Sequence, residues 1–197
     1  MGRPREFCPD QALGQALEVF WRQGYEGASL SDLTEAMGIT RPSLYAAFGN
    51  KEELFRKALD RYESHVMGFM AEAMRQEPAR EAVAGLLYGF ADAQSGQDTP
   101  AGCLGVNGAL ACSEASEPVR QELARRRGAV EARLAERLRA APAGQLPPGA
   151  DPDDLARYVM ALAQGMAVQA KSGAGREALR RVVATALQAW PDSVAAA

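Results

Sequence analysis

Between Leu30 and Phe55 the chain reads LSDLTEAMGITRPSLYAAFGNKEELF, and this stretch leaves little freedom of fold. It carries two helix-start signatures, Ser29-x-x-Asp32 and Asn50-x-x-Glu53. In each, a side-chain oxygen at the N-cap and an acid three residues later can satisfy each other's backbone amides. Gly38 and Gly49 supply stops. Between them Thr40 is placed to cap a third helix, and because Pro42 has no N–H the cap must take the amide of Ser43. Three helix starts in so short a span demand a tight helical unit joined by turns of a few residues.

The rest of the chain keeps helical spacing, and no segment reads as a strand. Ala, Leu, Arg, Glu and Gln, all good helix formers, dominate. A first helix is expected over about Asp10–Gln23, with Leu13, Ala16, Leu17 and Phe20 inward and Gly24 as its stop. The others in this half are Leu30–Met37, Arg41–Phe48, and a fourth from Lys51 with a stripe of Leu54, Ala58, Tyr62 and Phe69. Continued to Met74, that fourth helix would be a rod of about 37 Å. Helices are then expected over Ala79–Gln94, Cys103–Cys112 and Ser116–Ala141. After the turn-rich segment APAGQLPPGADP come Leu155–Lys171 and a last helix carrying Leu179, Val183, Ala186 and Trp190. The fold class is all-α. Leu155–Lys171 is apolar nearly all round, which requires burial on more than one side.

The third helix has an unusual surface. At 100° per residue Leu44 and Phe48 lie about 40° apart and face inward. Pro42, Ser43, Tyr45 and Ala46 face out. That outer face is small, with one arginine and two hydroxyls at its tip. Such a face fits a DNA major groove, and two short helices joined by a glycine-bearing turn form a helix-turn-helix. A core-forming connector would not explain outward Tyr45 and Lys51 beside so bare a surface.

Gly38, Thr40, Leu44-Tyr45, Phe48 and Lys51-Glu52-Glu53-Leu54 together resemble the DNA-binding region of TetR/AcrR-family transcriptional regulators, over about Leu13 to Leu59. The resemblance implies a DNA-binding domain at residues 1–50 and an effector-binding and dimerisation domain at 51–197. It implies a dimeric, ligand-responsive repressor of a palindromic double-stranded operator. It also assigns roles: Tyr45 and Lys51 hold phosphates, Ser29 offers its hydroxyl and helix N-terminus to another, and Thr40, Arg41 and Ser43 lie over the groove. Arg41 is the candidate base reader, since arginine bidentate to guanine is the commonest specific contact. Pro42 and Ala46 can touch a thymine methyl. Ala46 and Ala47 replace the larger polar groups frequent in the family, so few direct base contacts and more shape readout are expected. Arg3 and Arg5 are candidates for an arm along the backbone or minor groove.

Charge tempers this. From Met1 to Lys57 there are seven Lys/Arg and eight Asp/Glu, and the whole chain carries a net −3. Binding must rest on a few placed cations and helix ends, and should weaken steeply with salt.

In the family the last two helices build the two-fold interface. The matching candidates here are Leu155, Val159, Leu162, Met166, Leu179, Val183, Ala186 and Trp190. Candidate effector contacts are Phe69, Met70, Tyr88, Cys103, Asn107, Met160 and Gln164. Of these the amides Asn107 and Gln164 stand out, because a polar group amid apolar neighbours needs a partner. Cys103 follows a Pro-Ala-Gly turn and can open a helix, which would favour a thiolate and a sensing role; the plainer reading is a small buried hydrophobe. Cys103 and Cys112 would lie about 180° apart on one helix, unable to bridge. Arg125, Arg126 and Arg127 read as a solvated, ion-paired face with Glu122 and Glu131 in reach.

Three scattered cysteines and one histidine give no zinc spacing and no disulfide framework. No cofactor is expected. Neither a spanning apolar run of about 20 residues nor a secretory core is visible, which points to the cytoplasm. There is no nucleophile elbow or phosphate loop, so an enzyme is not expected. The competing reading is a DNA-bound architectural or interaction protein with no small effector, and a cavity in the C-terminal domain would tell the two apart.

Overall fold

The computed structural model describes residues 7–96, 99–108 and 113–191, and all regular structure in them is helical. Arg3, Arg5 and Cys112 lie outside those residues. Helix α1 (Pro9–Gly27) opens on Pro9, a residue pre-set for a first helical position. Gly24 does interrupt it: at φ 76° it leaves helical geometry, and the chain resumes for one turn to Gly27.

Helices α2 (Leu30–Met37) and α3 (Arg41–Phe48) begin and end where the capping chemistry places them. The Ser29 hydroxyl accepts the Asp32 amide at 3.1 Å while Asp32 accepts the Ser29 amide at 3.0 Å. Gly38 closes α2 in the left-handed region at φ 65°. Asn50 and Glu53 repeat the reciprocal box at the start of α4 (Lys51–His65).

The fourth helix does not run to Met74. It ends at His65, about 22 Å from its start at 1.5 Å per residue. The amides of Val66 and Met67 both fold back to the Tyr62 carbonyl, and Met67 turns into the core, where it is 4% exposed. A separate short helix, α5 (Phe69–Ala73), follows. It lies on α6 (Ala79–Gln94), where Gly89 makes room for the Phe69 ring: a Cβ on Gly89 would stand 2.2 Å from Phe69 Cδ2.

The segment expected as a helix from Cys103 to Cys112 contributes one four-residue helix, α7 (Leu104–Asn107), and residues 109–112 lie outside the described set. Then come α8 (Glu117–Arg139), α9 (Pro152–Lys171) and α10 (Arg176–Leu187). Asp151 caps α9 by accepting the amides of Asp153 and Asp154. The buried side chains form one continuous core through both halves, including Phe20, Trp21 and Phe55 near the first four helices and Leu86, Leu104, Leu123 and Leu134 beyond them.

Candidate nucleic-acid interface and effector cavity

The third helix is held by two anchors. Leu44 is fully buried and Phe48 is 5% exposed. Turning them inward presents Thr40, Arg41, Pro42, Tyr45 and Ala46 to solvent, with Tyr45 48% exposed. Ser43 is only half-buried rather than fully outward, because it closes the cap: its amide donates to Thr40 Oγ1 at 3.3 Å and the two hydroxyls meet at 3.0 Å. The Arg41 guanidinium rests on Ser31 Oγ at 2.9 Å. Sequence reasoning missed Ser31, although two exposed groups at a helix-turn-helix mouth are natural partners.

Lys51 is half-buried rather than freely outward. Its ammonium lies 4.6 Å from the centre of the Tyr25 ring, and burial lowers its pKa against the opposing pull of Glu26. Tyr25 is thus a positioning residue for Lys51 that the sequence did not flag. Ser29 is exposed; its oxygen accepts the Asp32 amide, and its hydroxyl bonds the Asp32 carboxylate and holds that acid's pKa down.

Below this surface lies an open cavity of about 550 Å³ between α4, α5, α6, α7, α8 and α9. That volume lies in the range of small-molecule sites. Of the residues expected there, Met70, Cys103, Met160 and Gln164 line it. Phe69, Tyr88 and Asn107 do not. The Phe69 ring is edge-on to Phe90 with centroids 5.4 Å apart, and Tyr88 lies under the Arg180 guanidinium at 4.6 Å. Asn107 Nδ2 is engaged elsewhere, donating to the Trp21 carbonyl at 3.2 Å. Cys103 is half-buried as N-cap of the four-residue α7.

Two lining groups were missed. The Gln94 Oε1 is buried without a hydrogen-bond partner, and the Tyr62 hydroxyl is buried with no well-formed one. Burial, with Cys103 beside it, pushes the Tyr62 phenol well above its usual value, so it stays protonated. Gln94 meets the same criterion that singled out Gln164, an amide among apolar neighbours.

Trp21 ties this cavity to the first helix. Its Nε1 donates to the Gly102 carbonyl at 3.0 Å, and its ring meets Tyr62 edge-on at 4.7 Å. On the other side of α4, Arg126 is more than an element of a solvated face. It reaches Asp60 at 2.7 Å, Glu63 at 2.9 Å and Glu122 at 2.7 Å, joining α4 to α8. Burial alone would lower the Arg126 pKa, but these carboxylates outweigh it and raise it.

The expected interface residues divide by exposure. Val159, Met166, Leu179 and Val183 are 0–1% exposed and Ala186 and Trp190 at most 7%, all packed within the single chain. Leu155 and Leu162 are half-buried. The outer face of α9 is instead formed by Tyr158, Ala161, Gly165 and Val168, with Tyr158 48% and Val168 47% exposed.

The helix-turn-helix and the domain behind it both match family models. Residues 12–58 match that of bacterial regulatory proteins of the tetR family, and residues 79–186 match that of the tetracyclin repressor-like C-terminal domain. The chain belongs to the TetR family. It is a transcriptional regulator with an N-terminal helix-turn-helix unit and a helical C-terminal domain. Over 196 residues it is 38% identical to the transcriptional repressor ComR of Escherichia coli K12, covering 98% of this chain and 93% of that one. It superposes with a TM-score of 0.90, at 44% identity and covering 96% of this chain and all of the other, on the TetR-family regulator CifR, a cysteine mutant complexed with 26-bp double-strand operator DNA. A TetR regulator from Rhodococcus sp. RHA1 is also 44% identical, with a TM-score of 0.63, over 92% of this chain and 98% of that one. Among the described residues of this TetR-family chain no helix is long and apolar enough to cross a membrane.

Proposed function

We propose that this chain is a homodimeric, effector-released transcriptional repressor that reads a palindromic operator with α3. The observation that carries it is the outer face of α3: Thr40, Arg41, Pro42, Tyr45 and Ala46 exposed on a helix whose inner residues Leu44 and Phe48 are fixed. The operator complex of CifR and the repressor activity named for ComR support the same reading. Arg41 leaves Ser31 to reach a base edge, Pro42 and Ala46 lie against thymine methyls, and Thr40 and Ser43 contact the groove edge. Tyr45, Lys51 and Ser29 hold phosphates. Residues 1–50 form the reading unit, and the remainder binds effector and partner.

The dimer face is Tyr158, Ala161, Leu162, Gly165 and Val168. These positions share one side of α9, and a Cβ on Gly165 would meet nothing within 4 Å, so a second helix can approach closely. A twin helix across this stripe gives a two-fold interface and places two copies of α3 one DNA turn apart, about 34–36 Å.

The cavity favours the effector-controlled reading over an architectural DNA protein. Its contents reach α1 through Tyr62 and Trp21 and reach α4 through the same tyrosine, so a bound molecule can shift the reading units and lower DNA affinity. Selection of random duplexes followed by footprinting tests the reading. A palindromic consensus with half-sites one turn apart is expected. Recovery of no consensus, with even protection along the DNA, would favour the architectural reading.

A further inference from the structure

The cavity is apolar in its depth, with Leu59, Met67, Phe90, Leu123 and Met160 among its walls. Of the polar side chains that break that lining, Gln164 and the charged groups at the rim are partly or fully exposed, while two are almost wholly buried: Gln94 is 2% exposed and Tyr62 3%. Gln94 Oε1 has no hydrogen-bond partner, and the Tyr62 hydroxyl makes no well-formed one, with only the Cys103 thiol and the Leu104 backbone beside it. Buried polar atoms left unpaired are costly, and most such groups in folded proteins are satisfied. The orphans therefore call for a partner that enters the cavity. Gln94 Oε1 is an acceptor only, so its partner must donate. The Tyr62 O–H is a donor, so its partner must accept. A hydroxyl does both.

Charge narrows the class. Of the four arginines at the rim, three are committed, Arg126 to Asp60, Glu63 and Glu122, Arg125 to Glu122, and Arg127 to the Gly105 carbonyl at 2.7 Å, and the fourth, Arg133, stands exposed. A carboxylate placed in the apolar depth would lose its hydration and present no donor to Gln94. We propose that the cavity takes a neutral, largely apolar hydroxylated molecule, an alcohol or phenol, whose hydroxyl group is read by Gln94 and Tyr62. This rests on the reading of the cavity as the effector site. It also gives that site an output. The Gln94 backbone carbonyl accepts the Gly102 amide at 2.9 Å, the Gly102 carbonyl accepts from Trp21 at 3.0 Å, and Trp21 packs on Tyr62. A hydroxyl held by both readers pulls on the joint between α1 and the cavity.

The test uses the full chain and sets of matched probes on shared alkyl, phenyl and naphthyl skeletons: the alcohol or phenol, its methyl ether and the corresponding carboxylate. Binding is followed by calorimetry, and release of operator DNA is read in parallel. The hydroxyl compound is expected to bind about tenfold tighter than its ether, which offers no donor. Gln94→Met should erase that advantage, and Tyr62→Phe should weaken both compounds about tenfold. Both substitutions keep shape, and circular dichroism checks that both variants are folded. Tighter binding of the carboxylates, indifference of the hydroxyl compounds to both substitutions, or no binding of any hydroxyl compound would overturn the proposal. Hydroxyl compounds that bind as expected but leave DNA bound would uphold the site and remove its role as effector switch. A carboxylate that releases DNA would do the reverse.

Discussion

The indole of Trp21 stands edge-on to the phenol ring of Tyr62, centroids 4.7 Å apart and planes at 85°, while its Nε1 donates to the Gly102 carbonyl. One side chain of α1 thus touches a wall of the cavity and the loop that leads into α7. Removing the donor while keeping an aromatic ring separates packing from coupling. Trp21→Phe orphans a buried carbonyl and loses ring volume, costing about 1–3 kcal/mol in denaturant unfolding. The variant is expected to bind operator like the parent when effector-free and to need more effector for release. Unchanged release would remove Trp21 from the route.

The ion pairs that Glu122 makes with Arg125 and Arg126 make stability pH-dependent. Hydrogen bonds from Arg125, opposed by burial and aided by Arg126, hold the Glu122 pKa down from 4.5 to about 2. A depressed carboxylate stabilises the fold above its unfolded value. That contribution is complete above about pH 4.5 and disappears as pH falls toward 2. Glu122→Gln should flatten this part of the stability profile, and Arg125→Met should remove a large share of it, since the Arg125 hydrogen bonds are the main cause of the Glu122 shift. An unchanged slope between those pH values in both variants would contradict the network.

Lys51 is expected to act as a phosphate contact steadied by Tyr25. Lys51→Gln should weaken binding to specific and random DNA alike and reduce the slope of log K against log salt by about 1 for each such contact. The folded state should lose about 0.5–1 kcal/mol from the cation–π contact. A variant that keeps the parent's salt slope would place Lys51 away from the backbone.

The dimer face is checked by a pair of substitutions on α9. Tyr158→Glu lies on the exposed side and should give a folded monomer in sedimentation velocity, with little change in secondary structure. Val159→Asp, one residue on but fully buried, should instead unfold the domain, since an unpaired charge in a core costs several kcal/mol or more. A Tyr158→Glu protein that remains dimeric would move the interface elsewhere.

The contrast between positions 158 and 159 also shows where sequence reasoning ran out. The bounds of α2 and α3, and the start of α4, were legible because they are set locally by hydroxyls, acids and glycines reacting with nearby amides. The end of α4 was not, because Met67 turns into a core contributed by distant residues. The faces of α9 were not, because its inner side is filled largely by Ala156, Ala163, Ala167 and Ala170, while Tyr158 and Val168 point out. A pattern weighted by large side chains cannot separate the inner from the outer side of such a helix. Asn107 was correctly marked as an amide in need of a partner. That its Nδ2 donates to the Trp21 carbonyl depends on how the chain folds back across more than 80 residues.

The most direct measurement is fluorescence anisotropy of the parent and Arg41→Ala on the duplex upstream of the chain's own gene, against excess random competitor at two salt concentrations. Competitor-resistant binding by the parent is predicted, with Arg41→Ala reduced to the level of random DNA, since a lost bidentate base contact costs about 1–3 kcal/mol of discrimination. Equal, competitor-resistant binding by both proteins would contradict the claim that α3 reads the operator through Arg41.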